Sequence, residues 1–178
     1  MVINPSGKRI ATYRKMHLFQ LNSGKKNIDE SSLFEPGDTP ATFTLNGWQI
    51  GLTICYDLRF PELFRTYVGS DLLVCTSEFT AFTGKAHWEV LLKARAIENQ
   101  CFVAGVNQCG RNETINIEAY GHSMLVDPWG TPVIHTNNVE DVLQCQLNKK
   151  RISYVRNKIP ALNSISPTLR NGNSRNHE

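Results

Sequence analysis

Short apolar segments alternate with helical segments between residues 48 and 106, and this alternation constrains the fold more than any other feature. The apolar segments are rich in β-forming residues and are therefore predicted to be strands. They span residues 48–55, 71–75 and 101–106. Between the first two, Pro61 is typical of a helix start and predicts a helix to about Tyr67. Between the last two, the apolar face of residues 86–100 predicts a longer helix capped by Thr83.

The chain on either side of this region completes the predicted fold. Near its start, Asn4-Pro5-Ser6-Gly7 is a strong turn signal and predicts a hairpin that ends at Arg14-Lys15. Residues 20–40 are polar and predict a long loop, a feature that is usually functional in a compact domain. The later predicted elements are strands at 122–126, 132–135 and 141–147 and a helix at 148–158. Alternation followed by a run of strands indicates a layered α/β domain.

Length, charge and cysteine content limit the class of protein. The 178 residues fit one domain, predicted over residues 1–169 with a flexible polar tail at 170–178. The net charge of +3 is too small to argue for nucleic acid, and no apolar run is long enough to span a membrane. Five cysteines without a CxxC pair indicate neither a disulfide framework nor a zinc site. We expect a cytoplasmic protein (mitochondrial if a longer N-terminus exists) without metal or other cofactor.

The sharpest chemical signal lies in the segment Gly51-Leu-Thr-Ile-Cys-Tyr-Asp-Leu-Arg-Phe-Pro-Glu62. Cys55 stands at the end of a predicted buried strand, just before a proline that starts a helix. Nucleophiles often occupy such a position, because the turn exposes the sulfur and nearby backbone N–H groups can stabilise an oxyanion. This segment alone leaves open the alternative of a buried structural cysteine.

The remaining cysteines and histidines give weaker signals. Three cysteines lie inside predicted strands, which favours core positions. They are Cys75, Cys101 and Cys145. Cys109 lies in a turn-like segment and is a surface candidate. His17 and His122 are each candidates to assist a thiol, and nothing in their spacing selects either one.

Four motifs, in this order along the chain, resemble motifs of the nitrilase superfamily of carbon–nitrogen hydrolases. They are 13–19 for the lysine motif, 54–62 for the nucleophile motif, 87–98 for the helix that follows, and 120–124 with 127–130 for a late strand pair. The resemblance runs from Val2 to about Thr168. It is strongest to the amidase-like branches, which include deaminated-glutathione amidase and omega-amidase.

This resemblance implies an αββα sandwich and a Glu–Lys–Cys triad that hydrolyses linear, non-peptide amide bonds through a thioester acyl-enzyme. Carried over by motif, Cys55 is the nucleophile, and Lys15 stabilises the oxyanion together with the backbone N–H of Tyr56. Without its motif, Lys15 would be an ordinary surface lysine. We expect Lys15 and Cys55 to meet at the ends of neighbouring strands. The resemblance further implies small carboxylate-bearing amides as substrates and a homodimer or higher homo-oligomer.

A second glutamate belongs to the amidase branches, in the loop after the lysine and six residues before a Pro-Gly turn. Glu30 stands at that distance before Pro36-Gly37. The resemblance implies that Glu30 is a supporting carboxylate that holds Lys15 or positions substrate. The alternative is an exposed loop glutamate. We expect its carboxylate to turn inward and lie near Lys15.

The sequence departs from the family where the general base is expected. In the family this base is a glutamate upstream of the lysine, but residues 1–14 contain no Asp or Glu. We therefore expect the sandwich to be incomplete at the N-terminus, as in a fragment, a split-gene product or a truncated gene model. The isolated chain should react with iodoacetamide at Cys55 but show at most a trace of turnover.

The alternative function is a catalytically inactive remnant that serves as an interaction or assembly module. Apolar residues near the nucleophile and near the end of the chain are candidates for such contacts. They are Leu63, Phe64, Tyr67, Tyr154 and Ile159. Packing inside the chain is the ordinary alternative for all five, and we expect it at least for Leu63 and Tyr154.

Two further positions carry expectations that the structure can address. Glu78 and Thr76 stand where the family more often has a small residue and a proline; Glu78 either faces the pocket and alters substrate choice or is a surface change. Arg95 and Glu98 lie on a predicted apolar helix, where buried charges need partners. At least one of the two is expected to be paired internally and to serve the scaffold.

Overall fold

The computed structural model describes residues 1–22, 24, 27–114 and 116–166, so the polar tail predicted at 170–178 lies outside the described residues. The strands are β1 (Val2–Ile3), β2 (Arg9–Ala11), β3 (Gln20–Asn22), β4 (Asn27–Asp29), β5 (Ala41–Leu45), β6 (Trp48–Ile54), β7 (Leu72–Ser77), β8 (Phe102–Asn107), β9 (Cys109–Asn112), β10 (Ile117–Tyr120), β11 (Met124–Val126) and β12 (Pro132–His135). The helices are α1 (Pro61–Thr66), α2 (Ala81–Asn99) and α3 (Lys149–Lys158). This mixture confirms the predicted α/β class.

A six-stranded sheet in the order β12-β11-β8-β7-β6-β5 forms the centre of the molecule. Its middle strands β6, β7 and β8 are parallel, and the outer strands pair antiparallel. Ile54 pairs with Thr76, and Ser77 pairs with Asn107, so the three parallel strands end at the same edge of the sheet. This edge therefore receives the residues that follow each strand, which is where α/β sheets usually carry their sites.

Alternating side chains on the parallel strands face two different layers, as the two-residue period of a strand requires. Leu73, Cys75 and Val103 point towards α1 and α2 and join the main core. Phe102 points to the other face and packs with Ile152 of α3 in a smaller cluster. The parallel strands are thus held by helices that pack on both faces.

Helix α2 lies close to the sheet because a glycine faces it. A Cβ on Gly105 of β8 would come within 2.5 Å of Leu92 and 2.7 Å of Trp88, and both of these side chains are fully buried. The helix begins after Thr80, whose side chain accepts a hydrogen bond from the backbone of Thr83. The prediction that Thr83 caps this helix was therefore wrong by one turn.

Local pattern located most elements of the central sheet but misjudged segments whose structure depends on distant partners. The hairpin at the start of the chain, helix α1 and strand β12 are confirmed. The strand predicted at 141–147 was wrong: no strand pairs with it in the described chain, and Val142 is 92% exposed. Accordingly Cys145 is exposed and not a core residue. The predicted loop at 20–40 contains the hairpin β3–β4, and β5, β9 and β10 were missed.

The residues proposed for contacts with another chain differ in their exposure to solvent. Leu63, Phe64 and Tyr67 are buried inside the chain, which confirms the expectation for Leu63. Tyr154 is 50% exposed, so the expectation of a core position was wrong for this residue, and Ile159 is also exposed. In the described ranges, no helix is both long and apolar enough to cross a membrane.

Candidate active site

Cys55 begins a tight turn directly after β6, at the edge where the parallel strands end. Its φ of 49° lies in the left-handed region, which is uncommon for a residue with a side chain. A short 3-10 helix, Cys55–Arg59, follows and leads into Pro61 at the start of α1. The strained turn re-aims the sulfur out of the strand, as the sequence pattern of strand, cysteine and proline predicted.

Asp57 lies beneath this turn and is fully buried. Its Oδ2 accepts hydrogen bonds from the Tyr13 hydroxyl at 2.7 Å and the Ile54 backbone N–H at 2.9 Å. Its Oδ1 accepts the backbone N–H of His17 at 2.9 Å and lies 2.8 Å from the His17 ring Nδ1. Because Tyr13 and His17 flank Lys15, one carboxylate joins the lysine segment to the nucleophile turn. The sequence pattern did not single out Asp57, although an acidic residue between a buried strand and a helix start was a usable signal.

Lys15 and Glu30 form the ion pair that the sequence predicted. The Lys15 Nζ lies 2.5 Å from Glu30 Oε2, and the same oxygen accepts the backbone N–H of Phe19 at 2.7 Å. The side chains are 13% and 29% exposed. Glu30 therefore turns inward and holds Lys15, as expected, and does not face water as a loop glutamate would.

The turn at Pro36-Gly37 contacts the backbone of Lys15. The backbone N–H of Gly37 donates to the carbonyl of Lys15 at 2.8 Å. A Cβ at position 37 would lie 2.3 Å from the carbonyl oxygen of Arg14, so only glycine allows this approach. The long polar loop thus returns to the lysine at two points, Glu30 and Gly37.

One cavity of about 870 Å³ contains the predicted site residues. Cys55, Lys15 and Glu30 line it together, and Arg14 and Glu78 line it as well. The expectation that Lys15 would end a strand beside β6 was wrong, because Lys15 lies in an extended stretch after β2, outside the central sheet. The two side chains nevertheless meet in one cavity because Asp57 ties their segments together.

The charged groups around Cys55 shift the pKa of its thiol in opposite directions. Burial raises the pKa of the Cys55 thiol above its ordinary value, and the Lys15 ammonium acts in the lowering direction. A hydrogen bond from the backbone of Glu78 also lowers this pKa, whereas the carboxylates of Glu30 and Glu78 raise it. Lys15 is thus the cation that favours the thiolate form of Cys55.

Glu78 follows β7 and forms part of the wall of the cavity that Lys15 also lines. Its Oε1 accepts a hydrogen bond from Asn112 Nδ2 of β9 at 2.9 Å. The adjacent Phe79 backbone N–H donates to Asn107 Oδ1 at 2.8 Å, which ties this wall to β8. Of the two readings that the sequence left open, the structure supports the one in which Glu78 faces the pocket.

Arg95 supports the nucleophile turn from the helix side. Its Nε and Nη2 donate to the carbonyl of Leu58 at 3.0 and 2.9 Å, and its Nη1 pairs with Glu98 at 3.0 Å. The guanidinium also lies over the ring of Phe64. The expected internal pairing of Arg95 and Glu98 is confirmed, and neither residue lines the cavity.

The two candidate histidines contact other groups. The ring of His17 stacks on Phe60 at 3.7 Å and contacts Asp57, and the ring of His122 stacks on Tyr120. Cys75 and Cys101 are buried core residues as predicted, and Cys109 is half-buried. Among the described residues, no cluster of His, Cys, Asp or Glu side chains is arranged to hold a metal ion.

Two curated relatives are similar to nearly the whole chain. Omega-amidase NIT2 of Mus musculus is 39% identical over 164 residues, which cover 90% of this chain and 59% of that protein. Deaminated glutathione amidase of Mus musculus is 40% identical over 174 residues, which cover 95% of this chain and 53% of that protein. The chain therefore spans little more than half the length of these relatives.

A solved structure and a family model are similar to this chain in the same way as the two relatives. Saccharomyces cerevisiae Nit3, a member of branch 10 of the nitrilase superfamily, superposes with a TM-score of 0.78 at 34% identity, over 88% of this chain and 55% of that chain. The family model described as carbon–nitrogen hydrolase matches residues 1–157. The chain therefore belongs to the carbon–nitrogen hydrolase family of the nitrilase superfamily.

Proposed function

We propose that this protein is an amidase that hydrolyses linear, non-peptide C–N bonds with Cys55 as its nucleophile. The observation that carries the proposal is the placement of Lys15, already paired with Glu30, in the same cavity as a cysteine on a strained turn. Membership of the carbon–nitrogen hydrolase family and similarity to proteins named as amidases support the same reaction class.

The chemistry proceeds in two halves. The Cys55 thiolate attacks the amide carbon and forms a C–S bond, and the Lys15 ammonium with the backbone N–H of Tyr56 stabilises the oxyanion. When this intermediate collapses, the C–N bond breaks and ammonia or an amine leaves with a proton, which gives a thioester. Water then attacks the thioester, releases the carboxylic acid and restores the thiol.

Glu30 serves as a positioning residue in this scheme. Because its carboxylate accepts hydrogen bonds from Lys15 and from the Phe19 backbone, it fixes the ammonium in place. Lys15 cannot accept the thiol proton while it is protonated. The 178 residues alone should therefore be alkylated by iodoacetamide at Cys55 but hydrolyse amides slowly, since general acid–base help is worth roughly 10²–10⁴-fold.

The proposed substrates are small amides that carry a carboxylate. Arg14 supports this class because it lines the cavity at its exposed rim, where a guanidinium can bind a carboxylate through two hydrogen bonds. We also propose a homo-oligomer. Exposed apolar residues Phe82, Val90 and Ile97 of α2, together with Tyr154 and Ile159 near the end of the described chain, offer surface for such contacts.

Hydrolysis of succinamate, measured by the release of ammonia, tests the proposal. Cys55→Ala should abolish release, and Cys109→Ser is the matched control because that thiol is half-buried but outside the cavity lining. Retained activity in Cys55→Ala would overturn the role of this nucleophile. Strong activity that depends on Cys55 in the 178 residues alone would show that Glu30 or Glu78 supplies the base.

A further inference from the structure

Glu78 is the cavity residue that the amidase scheme leaves unused. It follows the end of β7, one strand away from Cys55, and its half-buried side chain lines the same cavity as the reacting sulfur. The carboxylate has a fixed direction because Oε1 accepts a hydrogen bond from Asn112 at 2.9 Å. A carboxylate held at this place is therefore part of the binding surface and not a freely moving surface group.

The negative charge of Glu78 is not neutralised by any residue that the structure describes. Within the described part of the chain, no Lys, Arg or His forms an ion pair with Glu78. Lys15 forms its ion pair with Glu30, with the Lys15 Nζ 2.5 Å from Glu30 Oε2. Four carboxylates, from Asp29, Glu30, Glu35 and Glu78, line the cavity against the two cations Lys15 and Arg14. The wall around Glu78 is therefore electronegative before any substrate binds.

This carboxylate disfavours the chemistry of Cys55 in the empty site. It acts to raise the pKa of the Cys55 thiol, the direction opposite to that of Lys15. A cation bound beside Glu78 would cancel this effect and would also form a charge-assisted hydrogen bond with the free oxygen of the carboxylate. A substrate that brings its own cation would thus improve binding and restore the thiolate at once.

We propose that Glu78 forms an ammonium-binding subsite, so that the preferred substrate is a small amide that carries a protonated amine near the scissile carbonyl. This inference rests on the proposed amidase function and narrows its substrate class. With Arg14 at the rim to bind a carboxylate, the cavity suits amides that carry both an ammonium and a carboxylate group. A deaminated amide lacks the group that Glu78 would bind.

The hydrolytic test compares β-alaninamide with propanamide, a pair that differs only in the amine. The wild-type ratio of kcat/KM for the two should favour β-alaninamide, and Glu78→Gln should lower this ratio roughly tenfold, the value of one charge-assisted hydrogen bond. Glutamine keeps the oxygen that accepts from Asn112, so the wall stays in place. Glu35→Gln, a change at an exposed carboxylate of the cavity rim, should move the ratio less than about twofold.

A labelling test makes the subsite measurable without turnover. Cys55 attacks 2-aminoethyl methanethiosulfonate, which is cationic, or methyl methanethiosulfonate, which is neutral, to form a mixed disulfide with release of methanesulfinate. Peptide mass spectrometry follows Cys55 separately from the half-buried Cys109 and the exposed Cys145. The ratio of cationic to neutral labelling rates should fall roughly tenfold in Glu78→Gln but not in Glu35→Gln.

The two tests separate the two ideas. Because amide hydrolysis by the 178 residues is expected to be slow, the proposed amidase function fails if Cys55→Ala hydrolyses amides at the wild-type rate, while the labelling ratio would still report on Glu78. A labelling ratio that is the same in wild type and Glu78→Gln would overturn the ammonium subsite. An equal loss of kcat/KM for both amides in Glu78→Gln would also overturn it and would assign Glu78 to acid–base chemistry.

Discussion

The two walls of the cavity are built in different ways. On one side, the Lys15 segment and the Cys55 turn both bond to the fully buried Asp57, and Arg95 secures the turn from behind. On the other side, Glu78 is half-buried and is held by one hydrogen bond from Asn112 on the β9–β10 hairpin. The first wall has several buried bonds that fix one geometry, whereas the Glu78 side chain has one hydrogen bond, from Asn112, in the part of the chain that the structure describes.

The groups that react and the groups that select a substrate therefore have different structural requirements. Reacting groups must be held close to a productive geometry, which needs buried and redundant hydrogen bonds. A wall that selects substrates needs free polar atoms directed at the cavity. Substitutions in the first wall should therefore affect every substrate and the stability of the fold, whereas substitutions in the second should affect only some substrates.

The largest effect is expected for Asp57→Asn. The Asp57 carboxylate accepts from the Tyr13 hydroxyl and from the backbone N–H groups of His17 and Ile54, but an asparagine would direct its NH₂ group at some of these donors. We expect the free energy of unfolding to fall by about 2–3 kcal/mol, the cost of leaving buried donors unpaired. Urea denaturation measures this change, and the rate of Cys55 alkylation by iodoacetamide should fall with it.

A double substitution shows whether Asp57 acts through Lys15. If Asp57 serves to hold Lys15 against Cys55, Asp57→Asn should slow alkylation much less when Lys15 is already methionine. Tyr13→Phe removes one donor and is the graded control, with an expected loss of about 1 kcal/mol. Fully additive effects of Asp57→Asn and Lys15→Met on alkylation would contradict the link.

A smaller effect on the same wall is expected for Arg95→Met. Arg95 is 4% exposed, and its substitution leaves the Leu58 carbonyl without its two guanidinium donors and Glu98 without its ion-pair partner. We expect a loss of about 1–3 kcal/mol in the free energy of unfolding. Glu98→Gln is the matched control and should cost under about 1 kcal/mol, because Glu98 is partly exposed. Equal losses for both variants would mean that the bonds to Leu58 contribute little.

The sequence predicted the first wall far better than the second. Cys55 and Lys15 lie in short motifs that resemble those of the nitrilase superfamily, and Glu30 stands at a family-like distance before a Pro-Gly turn, so the resemblance implied that the three residues meet. Asp57 stood inside a quoted motif, but its role depends on Tyr13 and His17, which precede it by 44 and 40 residues. Pattern within a segment does not reveal such a partner, although the burial of the motif was a hint.

The second wall and the late strands depend on pairings that local pattern does not encode. Glu78 was left open between pocket and surface, because its direction is fixed by Asn112, 34 residues away on a hairpin that was missed. The segment 141–147 shows the opposite error. Its residues favour a strand, but no partner in the described chain completes a ladder, so β-propensity alone did not produce one.

The two walls should shift the titration of Cys55 in opposite directions. Lys15 lowers and the Glu78 carboxylate raises the pKa of this thiol, which burial has already raised above its ordinary value. Lys15→Met should therefore move the pH profile of Cys55 alkylation to higher pH, and Glu78→Gln should move it to lower pH. Site-resolved alkylation between pH 6 and about 10 measures both profiles. Shifts in the same direction would contradict the opposed electrostatics of the two walls.

The smallest effect is expected for two buried cysteines of the main core, and it changes the free energy of unfolding only at alkaline pH. Burial raises the pKa of Cys75 to about 11 and that of Cys101 to about 12, from an ordinary value of 9.0. Above pH 9 the unfolded chain therefore loses these protons while the folded chain keeps them, so stability falls as pH rises, by up to about 1.4 kcal/mol per pH unit for each thiol. Cys101→Ala removes one titrating thiol from both states and should flatten this decline between pH 9 and about 11. Cys145→Ala, at an exposed position, should leave the slope of the wild type. Urea denaturation at pH 8, 9.5 and about 10.5 makes the comparison, and equal slopes for Cys101→Ala and Cys145→Ala would show that the buried thiol ionises without unfolding.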